Sequence, residues 1–340
     1  MKRAVYWTCL VFSFIVSVSS GAEKELLLPR DDLSPWIRHA GAWKVVEAAT
    51  IDAGNPRKLS LEEGKGVLVN GDAGRTLNLF SRAWHGDVQA HIEFMIPKGS
   101  NSGIYFMGRY EIQVYDSYGK KRVGFGDCGG IYQRWDNGRG FEGHGAKVNA
   151  SKAAGEWQTF DVTFKAPRFD ENGRKIANAR FVKVVHNGTV IHENVDVTGP
   201  TRSPGFHNER SLGPIMLQGD HGPVAYRNIR LDGIIVEPPD ADEFEENLAW
   251  HAADAQAAPR STGGPDTGIR FENKSGKPVK LFWIDYKGQR KPYGELAPGG
   301  TREQGTVEGN TWLITNTEGW PLGYFIAKPY PSRAIIPTTK

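Results

Sequence analysis

Side chains able to move protons or orient hydroxyl groups gather in three short stretches of this chain. The first, NSGIYFMGRYEIQVYDSYGKKRVGFGDCGGIYQ, carries Asn101, Tyr105, Glu111, Gln113, Asp116 and Tyr132. The second holds His186-Asn187 with His192 and Glu193, and the third is Gln218-Gly219-Asp220-His221-Gly222. Carboxylates, imidazoles and phenols are the usual general acids and bases, and amides both donate and accept hydrogen bonds. Tyr105, Glu111, Gln113 and Tyr115 alternate with Ile104, Ile112 and Val114. Successive side chains of a strand point to opposite faces, so one face feeds a core and the other is polar and aromatic. The second face suits a polar, ring-shaped ligand. Taken singly, His192 and Glu193 read as a solvated face and His186-Asn187 as turn residues.

Other patterns fail on context. Gly124-Phe-Gly-Asp-Cys-Gly129 matches G-x-G-x-x-G, but a dinucleotide loop must open a helix. Here Gly130-Ile131-Tyr132-Gln133 reads as a strand, so the glycines let a loop pass close to backbone or ligand. His91-Ile92-Glu93 lacks the C-x-x-C partner of a zinc deaminase. Cys128 reads as a small packing residue. Asn149, Asn187 and Asn273 head N-x-S/T sequons.

Strands must position these groups. Val88 to Ile96 and Thr159 to Phe164 alternate with period two. Phe181 to His186 and Val190 to Glu193 flank Asn187-Gly188, a type I′ hairpin signal. Ile215 to Gln218 and Tyr226 to Leu231 close the series. Without interleaved helices, the pattern predicts an all-β, antiparallel sandwich.

The N-terminus reads as a signal peptide over residues 1–22. Lys2-Arg3 precede an apolar run, Ala4 to Val18, and small residues at Ser20-Gly21-Ala22. The run falls short of the about 20 apolar residues of a membrane span, so the expectation is an exported bacterial protein, periplasmic or secreted, with no span in the mature chain. Removing Lys2 and Arg3 lowers the formal charge from +3 to +1, which argues against nucleic acid as a partner. Cys9 leaves too, and Cys128 alone allows no intrachain disulfide.

Composition divides the remainder at Val236. Residues 23–236 form the first domain, and 237–267 read as an acidic, Pro-rich linker with a short helix near Asp242 to Ala255. Residues 268–340 have their own strands, clearest at Val279 to Ile284 and Thr311 to Thr315.

Trp84 to Leu231 resembles the 3-keto-disaccharide hydrolase domain family through EFMIPKGSNSGIYFMGRYEIQVYDSYG, GFGDCGGIYQRW, AGEWQTFDVTF, KVVHNGTVIHENV and GPIMLQGDHGPVAYRNIRL. The resemblance implies a concanavalin-like jelly roll acting on an oxidised glycoside or disaccharide. A ketone at C3 acidifies the proton at C2; a base removes it, the C1 substituent leaves, and water adds back. Glu111 or His221 could be the base, and Tyr132 or His186 the acid. Asn101, Gln113 and Gln218 could orient hydroxyls or stabilise the oxyanion, with Tyr105, Asp116 and Asp220 completing the pocket. A two-carboxylate glycosidase pairing Glu111 with Asp116 or Asp220 is the competing mechanism, and a lectin-like binding module the competing function. The residues point to no particular cofactor, although a carboxylate and imidazole cluster could hold a divalent metal.

TGIRFENKSGKPVKLFWIDYKGQRKPYGELAPGGTREQGTVEGNTWLITN resembles the β domain of the von Hippel-Lindau tumour suppressor, keeping Trp283, Pro292-Tyr293, Leu296, Pro298-Gly299 and Trp312. Tyr293 and Trp312 match its ligand-facing aromatics. Its serine, histidine and neighbouring tyrosine positions are Thr306, Asn310 and Val307 here, so the resemblance implies a module for a protein or glycan partner rather than a hydroxyproline reader.

Overall fold

The computed structural model describes residues 23–26, 32–37, 41–136, 138–236, 246–253, 257–264, 266–328 and 332–338. The expected signal peptide and the acidic start of the expected linker lie outside the described residues. All regular structure among the described residues is β-strand.

The chain's longest strand, Leu79–Met95, is the spine of the first sandwich. Leu79 to His85 pairs with Gly213–Leu217, and Val88 to Phe94 pairs with Gln158–Lys165. Its other edge pairs with Ala225–Val236. The resulting sheet runs Thr189–Val197, Ala179–His186, Gln158–Lys165, Leu79–Met95, Gly213–Leu217, Asn101–Phe106 and Tyr110–Tyr115. The sheet turns over on itself, so Phe106 and Tyr110 pack against Phe164 and Phe181 with ring centroids 5.3–5.6 Å apart. Alternation supplies that core: Phe160, Val162 and Phe164 point in while Asp161 and Lys165 point out. The expected hairpin forms at Asn187-Gly188, with φ of 49° and 79°. All three sequon amides are committed as donors: Asn149 to Ser117, Asn187 to Ala150 and Asn273 to Leu296 carbonyls.

A second core gathers Ile269, Phe271, Leu281, Trp312, Ile314 and Phe325. One of its sheets orders Glu246–Asn247, Ser332–Ile336, Asp266–Asn273 and Thr301–Val307; the other centres on Thr311–Thr315. The expected helix near 242–255 is replaced, where described, by the short strands Glu246–Asn247 and His251–Ala252. Leu248 enters this core and Trp250 packs on Phe325 at 5.1 Å. Apolar burial therefore attaches part of the compositional linker to the second sandwich.

His85 joins the spine to the turn between Asn101–Phe106 and Tyr110–Tyr115. Its Nδ1 lies 2.9 Å from the Gly86 carbonyl, and its Nε2 accepts from the Met107 N–H at 3.0 Å. Because a carbonyl only accepts, Nδ1 carries the proton and the ring is neutral. Met107 needs that anchor, since its φ is 56°. Burial pushes the His85 pKa down from 6.5 to about 4. Between those values the unfolded chain binds a proton that the folded chain refuses, so stability falls with pH through this window and levels off below about 4. The urea midpoint should drop from pH 7 to pH 4, with His85 contributing on the order of 3 kcal/mol. His85→Gln should show a shallower slope, and equal slopes in both proteins would remove His85 as its origin.

Candidate functional site

Tyr105, Glu111 and Gln113 share the face of the Asn101–Phe106 and Tyr110–Tyr115 pair opposite the core. Tyr105 and Glu111 are direct cross-strand partners, as are Gly103 and Gln113. Glu111 is only 3% exposed. Burial drives its pKa from 4.5 up to about 8, opposed by a hydrogen bond from Tyr105 and reinforced by the charge of Asp220. At neutral pH Glu111 therefore keeps its proton. Gly103 makes room for it: a Cβ there would lie 2.1 Å from Glu111 Oε1.

Two loops dock on this strand pair by backbone. Gln113 N–H donates to the Gly130 carbonyl and Gly129 N–H to the Gln113 carbonyl, both at 2.8 Å, and Tyr132 N–H reaches the Glu111 carbonyl at 3.1 Å. The glycine-rich segment thus continues the sheet at its edge. Gly130 is required because a Cβ would lie 2.3 Å from the Phe125 carbonyl oxygen. Further along the same edge, Thr201 Oγ1 accepts from Glu111 N–H at 3.1 Å and donates to the Arg109 carbonyl at 3.0 Å. Arg202 N–H donates to the Gln133 carbonyl, and the Arg202 carbonyl accepts from the Tyr105 hydroxyl.

The Gln218-Gly-Asp-His-Gly222 loop forms the wall. Buried Asn70 fixes it, donating to the Gly219 and Gly222 carbonyls and accepting from Val224 N–H. Asp220 Oδ1 lies 2.5 Å from His221 Nδ1. This hydrogen bond raises the His221 pKa above 6.5, against its partial burial and the charges of Arg75 and Arg202. A carboxylate on Nδ1 fixes the tautomer and leaves Nε2 as the basic nitrogen.

Gln218, Asp220 and His221 line a cleft of about 540 Å³ together with Arg202, Trp135 and Arg134. The Arg202 guanidinium lies 3.9 Å from the Trp135 ring centroid, and Trp135 is 44% exposed. An exposed indole backed by a cation is a stacking platform for a sugar ring. Asn101, Tyr105, Glu111, Gln113 and Tyr132 do not themselves line this cleft but sit on and beside the adjoining strand pair, where two acceptors, Asn101 Oδ1 and Gln113 Oε1, are buried with no partner among the described residues. Unsatisfied buried acceptors call for donors such as ligand hydroxyls. Sequence reasoning missed Trp135 and Arg202: Trp135 ends the motif GFGDCGGIYQRW, whereas Arg202 lies in the separate segment between Thr189–Val197 and Gly213–Leu217, which no motif marked.

Other expected residues lie elsewhere. Asp116 caps a turn, accepting from Gly99 N–H at 2.8 Å. His186 is fully buried in the sandwich, with Nε2 3.0 Å from Gln158 Oε1 and its ring 4.7 Å from Phe160. Burial pushes its pKa down to about 4. It is neither a turn residue at the surface nor an acid in the cleft. His192 is likewise buried, 2.7 Å from the Gly129 carbonyl. The Cys128 thiol is buried and pushed up to about 12, as a packing residue requires. Trp312 is inside the second core, its indole N–H donating to Thr306 Oγ1, while half-buried Tyr293 meets it edge-on at 4.7 Å. Trp312 itself therefore offers little surface to a ligand. Among the described residues no three His, Cys, Asp or Glu side chains converge to hold a metal ion, so the donors present do not fit the divalent site considered from sequence. A second groove, lined by His91, Asp161 and Lys183, lies on the outer face of the sheet and lacks an exposed aromatic platform.

Residues 25–232 match the family described as the 3-keto-alpha-glucoside-1,2-lyase-like domain, and residues 265–320 match the VHL beta domain. The first match makes the chain carbohydrate-active, of the hydrolase or lyase kind. A Parabacteroides distasonis structure provisionally named a glycosyl hydrolase is 27% identical, with 62% of this chain and 84% of that one covered at a TM-score of 0.45. A second from the same organism, named in the same way, is 19% identical, with 62% and 100% covered at a TM-score of 0.40. No curated protein matches the chain.

The packing at Gly103 gives a direct test of Glu111. Gly103→Ala places a methyl group where the Glu111 carboxyl sits, and the carboxyl is the end of a flexible side chain. The variant should fold, with a stability loss of about 1–3 kcal/mol, yet lose most turnover or ligand affinity. Wild-type activity would remove Glu111 from the site.

Proposed function

The chain belongs to the 3-keto-alpha-glucoside-1,2-lyase-like family, and on that premise we propose that it cleaves 3-keto-glycosides by elimination and rehydration. One observation carries the reading: an imidazole fixed by a carboxylate, His221 on Asp220, stands in a cleft that also presents Trp135 and Arg202.

The keto ring stacks on Trp135. His221 Nε2 takes the C2 proton, and the electron pair moves to O3 to give an enediolate. The Arg202 guanidinium faces that oxyanion. The pair then returns to expel the C1 substituent, whose oxygen takes a proton from the Tyr132 phenol. Tyr132 enters this step with its proton in place, because burial raises its pKa above the ordinary phenol value. Water adds to the resulting double bond, hydroxyl to C1 and proton to C2. Glu111, held neutral close to Asp220, adds no negative charge behind the cleft while the enediolate forms. This assigns the base to His221 rather than Glu111 and withdraws His186 as the acid. Asn101, Gln113 and Gln218 bind ring hydroxyls, with Gln113 and Asn101 offering the unpartnered acceptors.

In heavy water the released 3-keto sugar should carry deuterium at C2. Release without it would indicate direct hydrolysis, and binding without release would leave a lectin. The rate should be bell-shaped in pH. It rises as His221 loses its proton above pH 6.5, and falls as Glu111 ionises near 8. Asp220→Asn should shift the rising limb to lower pH, because it removes the carboxylate that stabilises the imidazolium. His221→Asn should cost about 10²–10⁴-fold in kcat; a rate near wild type would exclude His221 as the base.

A further inference from the structure

The same cleft is not built by the first sandwich alone. Thr267, Gly268 and Glu308 of the second sandwich line it alongside Asp220, His221 and Arg202. Thr267 opens the Asp266–Asn273 strand and pairs with Thr306 on Thr301–Val307, after which Glu308 follows in the turn. Both residues thus come from one corner of the second sheet.

That corner is chemically unfinished. Thr267 is 5% exposed, and its hydroxyl oxygen has no hydrogen-bond partner among the described residues. A buried hydroxyl without a partner costs stability, and a structural position would more cheaply hold Val, which has the same shape. Glu308 is half-buried and has no hydrogen bond or ion pair among the described residues, although Arg134 and Arg202 line the same cleft. A hydroxyl with both donor and acceptor capacity, set near a carboxylate that accepts two hydrogen bonds, is suited to adjacent sugar hydroxyls. The cleft volume of about 540 Å³ also lies in the range that encloses a ligand larger than one small ring.

We propose that the second sandwich supplies the binding site for the sugar ring on the leaving-group side of the scissile bond, through Thr267 and Glu308. This rests on the reaction proposed above, which places the keto ring against His221, Arg202 and Trp135. The ring beyond C1 then extends toward the second sandwich. Thr267 and Glu308 make disaccharides better substrates than glycosides with a small aglycone, and they touch none of the reacting atoms.

The test compares 3-keto-trehalose with methyl 3-keto-α-glucoside in the full-length protein. In the wild type, kcat/KM should favour the disaccharide. Thr267→Val and Glu308→Gln should each lower the disaccharide-to-methyl ratio about tenfold, mainly through KM. A ratio unchanged in both variants would overturn the proposal. Thermal melts identify a variant that fails to fold, and half-buried Glu308→Gln gives a reading should Thr267→Val prove unstable. If the wild type turns over neither compound, the assigned reaction falls. Calorimetric binding of the same two compounds then decides the subsite separately: selective weakening of the disaccharide in the variants supports it, and equal affinities overturn it.

Discussion

Glu111 stands on a strand whose opposite face is core, and a carboxyl removed from water must either find donors or give up its charge. The Tyr105 hydroxyl beside it draws the pKa down, but burial outweighs that and the group stays protonated to about pH 8. The neighbouring structure follows from that choice. Gly103 must lack a side chain so that the carboxyl has space. Thr201 and Tyr132 must close the strand's free edge, because the backbone groups of Glu111 are as buried as its side chain and need partners. The loops that carry Arg202 and Tyr132 are thereby fixed by hydrogen bonds that the strand requires in any case.

This arrangement accounts for a preorganised site built largely on loops. Asn70 holds the Gln218-Gly222 wall through three backbone groups, and Thr201 holds the Arg202 loop through two. Loops tied at buried anchors can place an imidazole and a guanidinium with little loss of entropy on binding. Charge is distributed to match. Asp220 is spent on His221, Glu111 is neutral, and Arg202 lies over Trp135. The cleft thus brings an imidazole held by a carboxylate and a guanidinium beside an exposed indole.

Much of this was legible in the residues themselves. The period-two strands, the Asn187-Gly188 hairpin, the absence of a dinucleotide loop and the two-faced strand pair follow from local rules, and the structure agrees with each. The GxGxxG match failed for the reason local context gives: its glycines serve a close backbone approach beside Gln113, with no helix after them. His186 was misjudged because strand alternation does not say which face is buried when both neighbouring faces carry polar groups. Its ring turns toward Phe94 and Phe160. The acidic segment after Val236 was read from its charges, whereas Leu248 and Trp250 decide its packing.

The sequence by itself determined the all-β class, the pairing of polar and apolar faces at Ile104 to Tyr115, and the motifs that resemble a carbohydrate-active family. Those properties depend on nearest neighbours along the chain. Only the tertiary structure decided that Glu111 is protonated, that His221 rather than His186 stands in the cleft, and that Trp135 and Arg202 belong beside it. It also decided that Thr267 and Glu308 complete the wall. The reason is physical: desolvation, charge coupling and cavity shape are set by residues far apart in sequence, and none of them has a period that can be read along one strand.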